Sequence, residues 1–331
     1  VTREWVADPG IGWRILLTAY LPEAPDAGVV LGRLSALAAR QGWEGTVEVR
    51  SDDDVDALRA RLVDGPAPVV AGIAGSALVV SAHHAWVDGL GLLDVMAAAT
   101  GRPTASSARG VGERPTRGGL ARTASRRLAE AAFRPPARVA TPEAAVGSGD
   151  AFAELTVPGS WRTAELVTAA VRGILRHNDA AGRDTRHLAI AVGAGRPRPD
   201  DDDRITDRSA LMRLTDLEDA TAEQIEERLR SAPLEAPPSG SRPATARLMA
   251  SGMRLLSRRL GSTLLVSHLG EVTAEGATGL AFHPVTAGGS GLSLGAVGLR
   301  GSTTLTLRAR ADHWDRPGLA GLLSEIAAEL G

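Results

Sequence analysis

The run from Val69 to Met96 constrains the fold more than any other stretch of the chain. Val69-Val70-Ala71-Gly72-Ile73 and Ala77-Leu78-Val79-Val80 are apolar segments separated near Gly75-Ser76, and they read as a hairpin of buried strands. The second arm runs into Ser81-Ala82-His83-His84-Ala85-Trp86-Val87-Asp88-Gly89, and Leu90 to Met96 then reads as a helix. A fold that accepts this run has a buried sheet that delivers two adjacent histidines to a loop, where a rigid scaffold meets accessible chemistry. The spacing His-His-x-x-x-Asp-Gly has a chance expectation on the order of one in a thousand for ordinary residue usage.

Taken in order, Trp13 to Tyr20 reads as a strand. A helix follows from Gly28 to Gln41, with Asp26 as N-cap, Gly42 as stop, and Val30, Leu31, Leu34, Leu37 and Ala38 on one face. Thr46 to Arg50 alternates like a short strand, and Asp52 or Asp53 caps a helix carrying Val55, Leu58 and Leu62. Residues 100–118 and 135–149 have linker composition, with a short basic helix from Leu120 to Phe133 between them. The boundary between two lobes falls here, giving 1–145 and 146–331. The second part opens with a strand from Ala151 to Val157. Ser160 then caps a helix with Val167, Ala170, Val171, Ile174 and Leu175 on its apolar face. A buried strand from His187 to Val192 leads into a loop, Gly193 to Asp203. The capping box Thr221 to Gln224 opens a helix to about Arg230. After a break at Pro237 to Gly240, Leu248, Gly252, Leu256 and Leu260 share a helical face. Strands follow at Thr263–Ser267, Thr278–Val285, Gly291–Val297 and Thr303–Arg310, and Asp315 and Pro317 start a closing helix. The pattern is α/β in both parts.

Composition narrows the chemistry. The chain has 331 residues, enough for one large or two medium domains. Its net charge of −2 argues against a nucleic-acid partner. There is no Cys, which excludes thiol nucleophiles, zinc-thiolate sites and disulfides. All 37 basic residues are Arg, so Schiff-base chemistry and a Walker A lysine are excluded too. The uncharged stretch from Pro66 to Ala82 is too short for a membrane helix, and the N-terminus carries no signal-peptide pattern. The expectation is a cytoplasmic protein without a transmembrane segment.

An imidazole held at a loop can take a proton from a hydroxyl or amine as that group attacks an acyl carbonyl. The carboxylate of Asp88 either orients the ring or fixes the loop, and Gly89 permits close backbone approach. The plain structural alternative is a pair of satisfied histidines at a strand end, with Asp88 capping the helix from Leu90.

On the motif His83 to Gly89 the chain resembles the condensation-domain and chloramphenicol-acetyltransferase-like superfamily of acyltransferases. This superfamily includes wax ester synthase/diacylglycerol acyltransferase-like and polyketide-associated members. The resemblance extends to element order over most of the chain: Trp13 to Arg50, Phe152 to His177, and Gly291 to Asp312. Leu265-Val266-Ser267-His268-Leu269-Gly270 is similar to the family's SNLG strand end, with His268 where Asn is usual. The resemblance implies two lobes in a V with an interlobe tunnel, and His84 at its centre as general base, with His83 beside it and Asp88 as support. It also implies an acyl-CoA or acyl-phosphopantetheine co-substrate with no permanently bound cofactor, an alcohol or amine acceptor, and room for an acyl or peptidyl carrier protein as partner. Oxyanion donors would come from the backbone near Gly89 or the Ser267 hydroxyl, and Trp86, His268 and Ser293 are candidate tunnel residues. A non-catalytic binding module, or a same-fold enzyme using His84 for cyclisation or elimination, stands as the alternative.

Other candidates are weaker. Gly291-Leu292-Ser293-Leu294-Gly295 matches a nucleophile elbow, but a strand pattern follows where an elbow needs a helix. Arg114, Arg117, Arg122, Arg126, Arg127 and Arg134 either meet phosphates or an acidic carrier protein, or belong to a solvated linker helix. Asp200 to Asp203 reads as a charged surface loop rather than a metal site.

Overall fold

The computed structural model describes residues 13–112, 114, 129–130, 132–142, 147–198, 203–235, 261–286 and 291–331. The first part of the chain runs β1 (Arg14–Tyr20), α1 (Ala27–Gln41), β2 (Val49–Ser51), α2 (Val55–Leu62), β3 (Val69–Ala74), β4 (Ala77–His83), α3 (Gly89–Thr100) and β5 (Thr104–Ser106). The second runs β6 (Asp150–Pro158), α4 (Thr163–Ala180), β7 (Ala189–Gly195), β8 (Ser209–Thr215), α5 (Ala222–Ser231), β9 (Leu264–Ala274), β10 (Gly279–His283), β11 (Leu292–Leu299), β12 (Ser302–Arg310) and α6 (Arg316–Ala327).

Local chemistry explains most boundaries. Asp26, Thr221 and Asp315 accept backbone N–H bonds at the starts of α1, α5 and α6 as expected. The predicted hairpin forms, Ala74 facing Ala77 across a turn where Gly75 adopts φ 55°. Two caps differ. Asp54, not Asp52 or Asp53, caps α2 by accepting from Ala57 N at 2.7 Å. At α4 the Glu165 carboxylate turns back to accept from Arg162 N at 2.7 Å, while Ser160 donates to Glu271 instead. On α1 the buried face is Val30, Leu34, Leu37 and Ala38, and Leu31 is exposed.

Two mixed sheets form. The first has the order β10-β1-β4-β3-β2, and the second β6-β12-β11-β9-β7-β8, with β5 paired to the far end of β9. Each sheet therefore borrows a strand from the other part of the sequence. Thr104–Ser106, inside a stretch of linker composition, is a strand against Val272–Ala274. β10 leaves the second part and pairs antiparallel with β1, Leu16 facing His283. The crossing is tight at Gly295 of β11, where a Cβ would lie 2.0 Å from the Phe282 carbonyl oxygen. A glycine at a close backbone approach is the physical content of the Gly-Leu-Ser-Leu-Gly run.

β8 has no counterpart in the sequence reading. Ala210, Met212 and Leu214 face inward, but Arg213 between them is also buried and pairs with Glu130 at 3.2 Å, which blurs the alternation. The predicted helices at 120–133 and 248–260 and the break at 237–240 lie wholly or largely outside the described residues.

Buried arginines join the two parts. Arg308 is fully buried, ion-paired to Asp150 at 2.6 Å, and donates to Arg14 O at 2.6 Å and Pro284 O at 3.0 Å. Arg59 on α2 donates to Thr18 Oγ1 at 3.1 Å and pairs with Glu154 of β6 at 2.8 Å. Such multidonor bonding suits the planar guanidinium fork.

Gly295→Ala is expected to destabilise the protein by about 2 kcal/mol or more, since backbone must move to admit the methyl. Gly32→Ala on α1, where a Cβ meets nothing within 4 Å, is expected to stabilise it by up to about 1 kcal/mol. Urea unfolding checks both, and equal effects at the two sites would refute the close crossing.

Candidate active site

His83 ends β4 and His84 opens the turn that follows. Both backbones are held by neighbouring chain: His83 N–H donates to Pro68 O at 2.8 Å and His84 N–H to Trp13 O at 2.7 Å. The turn closes with Trp86 N–H on His83 O at 2.9 Å. Since β4 lies inside the first sheet, the two imidazoles start from a fixed backbone.

The two rings differ in their commitments. Nδ1 of His83 accepts from Ala85 N–H at 3.2 Å, so that ring is occupied by its own turn. Burial, then the Arg14 guanidinium and His84, push its pKa below the usual imidazole value. Arg14 faces His83 in the β1–β4 register and donates to Ser81 Oγ at 2.9 Å and Ser81 O at 2.8 Å. Burial lowers that guanidinium to about 10. In His84 the Nδ1 atom is buried and lies 3.7 Å from Oδ1 of Asp207, while the side chain is 17% exposed. Its exposure is therefore on other atoms of the side chain.

Asp88 caps α3. One carboxylate oxygen accepts from Gly91 N at 2.7 Å and the other from Arg208 N at 3.0 Å. Burial pushes its pKa up, and nearby Asp207 adds to this, against the two N–H donors. Gly89 lies where a Cβ would meet Leu269 of β9 at 2.8 Å, so α3 begins against the second sheet. The loop before β8 also packs here: Gln41 donates to Asp203 O at 3.1 Å and accepts from Ile205 N at 2.9 Å.

Ser267 stands on the same strand as Leu269, half-buried, in register with Gly193 of β7 and Gly295 of β11. His268 lines a cavity of about 360 Å³ together with Ser107, Trp161, Thr163 and Glu271. Its Nδ1 is 3.2 Å from the Thr163 hydroxyl, and burial drives its pKa down to about 4, against the opposing pull of Glu271. Trp86 is half-buried and packs on the core shared by the first sheet and β9. Ser293 is fully buried within β11 with its hydroxyl towards Pro284 O, in a strand rather than at the strand-to-helix turn an elbow needs. Arg114 donates to Leu229 O at 2.6 Å and Arg134 pairs with Asp216 at 3.1 Å; the other four arginines of that group lie outside the described residues. Asp200 to Asp202 lie outside as well.

The sequence reading missed Arg14 and Asp207. A lone Arg among Trp13, Ile15 and Leu16 was a readable sign of a buried charge with a task. Asp207 carries no local signal, because only the tertiary fold brings its loop to the motif.

No protein-family model matches the sequence, and no curated protein matches it. Solved structures do share its architecture. The first condensation domain of the calcium-dependent antibiotic synthetase matches over 98% of this chain and 92% of its own, with TM-score 0.58 at 13% identity. The starter condensation domain of rhizomide synthetase matches over 98% and 91%, with TM-score 0.57 at 14% identity. The EpoB cyclization-docking bidomain from Sorangium cellulosum matches over 97% and 80%, with TM-score 0.54 at 14% identity. The chain has the condensation-domain fold. Its two sheets are the chloramphenicol-acetyltransferase-like lobes of that fold, the motif histidines ending a strand of the first. Among the described residues no helix is long and apolar enough to cross a membrane.

Two tests follow from this condensation-like site. Asp88→Ala removes a cap and strands two buried N–H donors, so urea unfolding is expected to show a loss of about 2 kcal/mol, with Asp88→Asn costing less. Equal losses in the two variants would refute the cap. His268 and His283 both have folded pKa values depressed by burial below 6.5, so the unfolded chain binds protons the folded one refuses. Stability is then complete above pH 6.5 and falls below it, for His268 until about pH 4. Urea midpoints at pH 7.5 and 5 are expected to differ less in His268→Gln than in the parent, and an unchanged gap would exclude His268 as a source.

Proposed function

We propose that this chain is an acyltransferase that moves an acyl group from a CoA or carrier-protein thioester to an alcohol or amine, with His84 as general base. The observation that carries the reading is His84 itself: an imidazole at a fixed strand end, one nitrogen buried beside a carboxylate and the side chain partly open. The condensation-like fold supports it, and the rhizomide synthetase domain was solved in complex with C8-CoA and Leu-SNAC.

In this reading the acceptor hydroxyl or amine gives its proton to Nε2 of His84 as its oxygen or nitrogen bonds to the thioester carbon. The resulting oxyanion is met by N–H groups near Gly89 or by the Ser267 hydroxyl. Collapse breaks the C–S bond, and the imidazolium returns the proton to the departing thiolate. Products are an ester or amide and a free thiol, with no net charge change. The reactants approach through a tunnel between the lobes.

Short, medium and long acyl-CoAs offered with a panel of amines and alcohols, read by thiol release and intact product mass, test this. Thiol release with a product heavier than the acceptor by the acyl group is expected. His84→Ala is expected to cut the rate by about 100-fold or more. A His84→Ala variant at wild-type rate would refute the base. Absence of thiol release, with a thioester still bound, would favour a binding module on the same fold.

A further inference from the structure

We propose that Asp207, not the motif aspartate, is the positioning residue for His84. The inference rests on the reading that His84 accepts the proton. A base in this position needs its ring held with one nitrogen presented, and it needs a countercharge when it becomes imidazolium. Asp88 is committed elsewhere, one oxygen to Gly91 N–H at the start of α3 and the other to Arg208 N–H. Asp207 has the geometry that the task requires. Its Oδ1 lies 3.7 Å from the buried Nδ1 of His84, and its side chain is 2% exposed. That separation is an ion-pair distance, and a shift of under an ångström makes it a hydrogen bond, as catalytic contacts often tighten once substrate binds.

The carboxylate is itself held. Oδ1 of Asp207 accepts from Ser209 N at 2.9 Å and from the Ser209 hydroxyl. The loop that carries it is fastened to the first lobe by the Asp88–Arg208 bond and by Gln41. Asp88 thus acts on the ring through the loop, by placing the residue next to Arg208. The titratable and charged groups around the motif include His83 on β4 with Arg14 of β1 beside it, Asp88 at α3 with Arg208 bonded to it, and Asp207 on the same loop as Arg208. Within this set Asp207 faces Nδ1 at ion-pair distance. With the proton on Nδ1 towards Asp207, the lone pair of the neutral ring is on Nε2. The base is then completed by a residue from the other lobe.

Ring nitrogen shifts of His84 in the intact protein test the geometry without any variant. The Nδ1–H tautomer is expected at neutral pH, and the Nε2–H tautomer would overturn the proposal. Asp207→Asn keeps an acceptor for Ser209 but loses the charge. Its kcat is expected to fall by at least about tenfold with KM little changed, and the acid limb of its pH–rate profile to move to lower pH. Ser209→Ala keeps the carboxylate and is expected to leave that limb in place. If Asp207→Asn keeps the parent acid limb and parent His84 shifts while His84→Ala is inactive, the Asp207 role falls and the base stands. If His84→Ala is fully active the base reading falls, and the nitrogen shifts alone then decide the Asp207 contact: altered shifts in Asp207→Asn support it, and unaltered shifts overturn it.

Discussion

Asp88 accepts from two backbone N–H groups that belong to different lobes, Gly91 on α3 and Arg208 on the loop before β8. The carboxylate is nearly out of water, and a buried acceptor bonded to backbone donors cannot be replaced by an apolar group without stranding them. Much else depends on this joint. It sets where α3 starts, and so where Gly89 meets Leu269. It also fixes the residue beside Arg208, which is the carboxylate next to His84. The motif's spacing follows from these demands. The histidines need the strand end, and the aspartate needs to sit past the turn at the first N–H groups of a helix.

The two lobes are held by more than contact. β10 completes the first sheet and β5 lies on the second, so neither sheet is closed by its own part of the sequence. Between them run the bonds of Arg308, itself paired to Asp150 within the second sheet, to the Arg14 carbonyl, and of Arg59 to Glu154. Removing one partner of such a buried pair leaves a charge without compensation, a larger penalty than the pair's own net worth. His84 and the carboxylate beside it come from different lobes, so their separation is only as fixed as this seam.

What could be read from sequence follows the range of each interaction. The capped helices and the hairpin were legible because Asp26, Thr221, Asp315 and Gly75 act within a few residues of themselves. The strand that ends at His83 was legible for the same reason. β5 and β8 were not. Thr104–Ser106 has no apolar pattern and becomes a strand because β9 offers it an edge, and β8 hides its alternation behind a buried Arg213. At the site the same division holds. His83, His84, Asp88 and Gly89 are adjacent in sequence, whereas Asp207 reaches His84 from 123 positions away, and only the folded loop reveals it.

The unequal histidines follow from geometry rather than from the motif as a string. His83 is the last residue of β4 and His84 the first of the turn that follows, and the two rings meet different neighbours. His83 turns to the Arg14 side, where a cation and burial favour the neutral ring and Ala85 N–H occupies Nδ1. His84 turns to the side where α3, β9 and the Asp207 loop converge, and meets a carboxylate instead. Two chemically identical rings one residue apart thereby have different surroundings, with Arg14 beside the one that holds the turn and Asp207 beside the other.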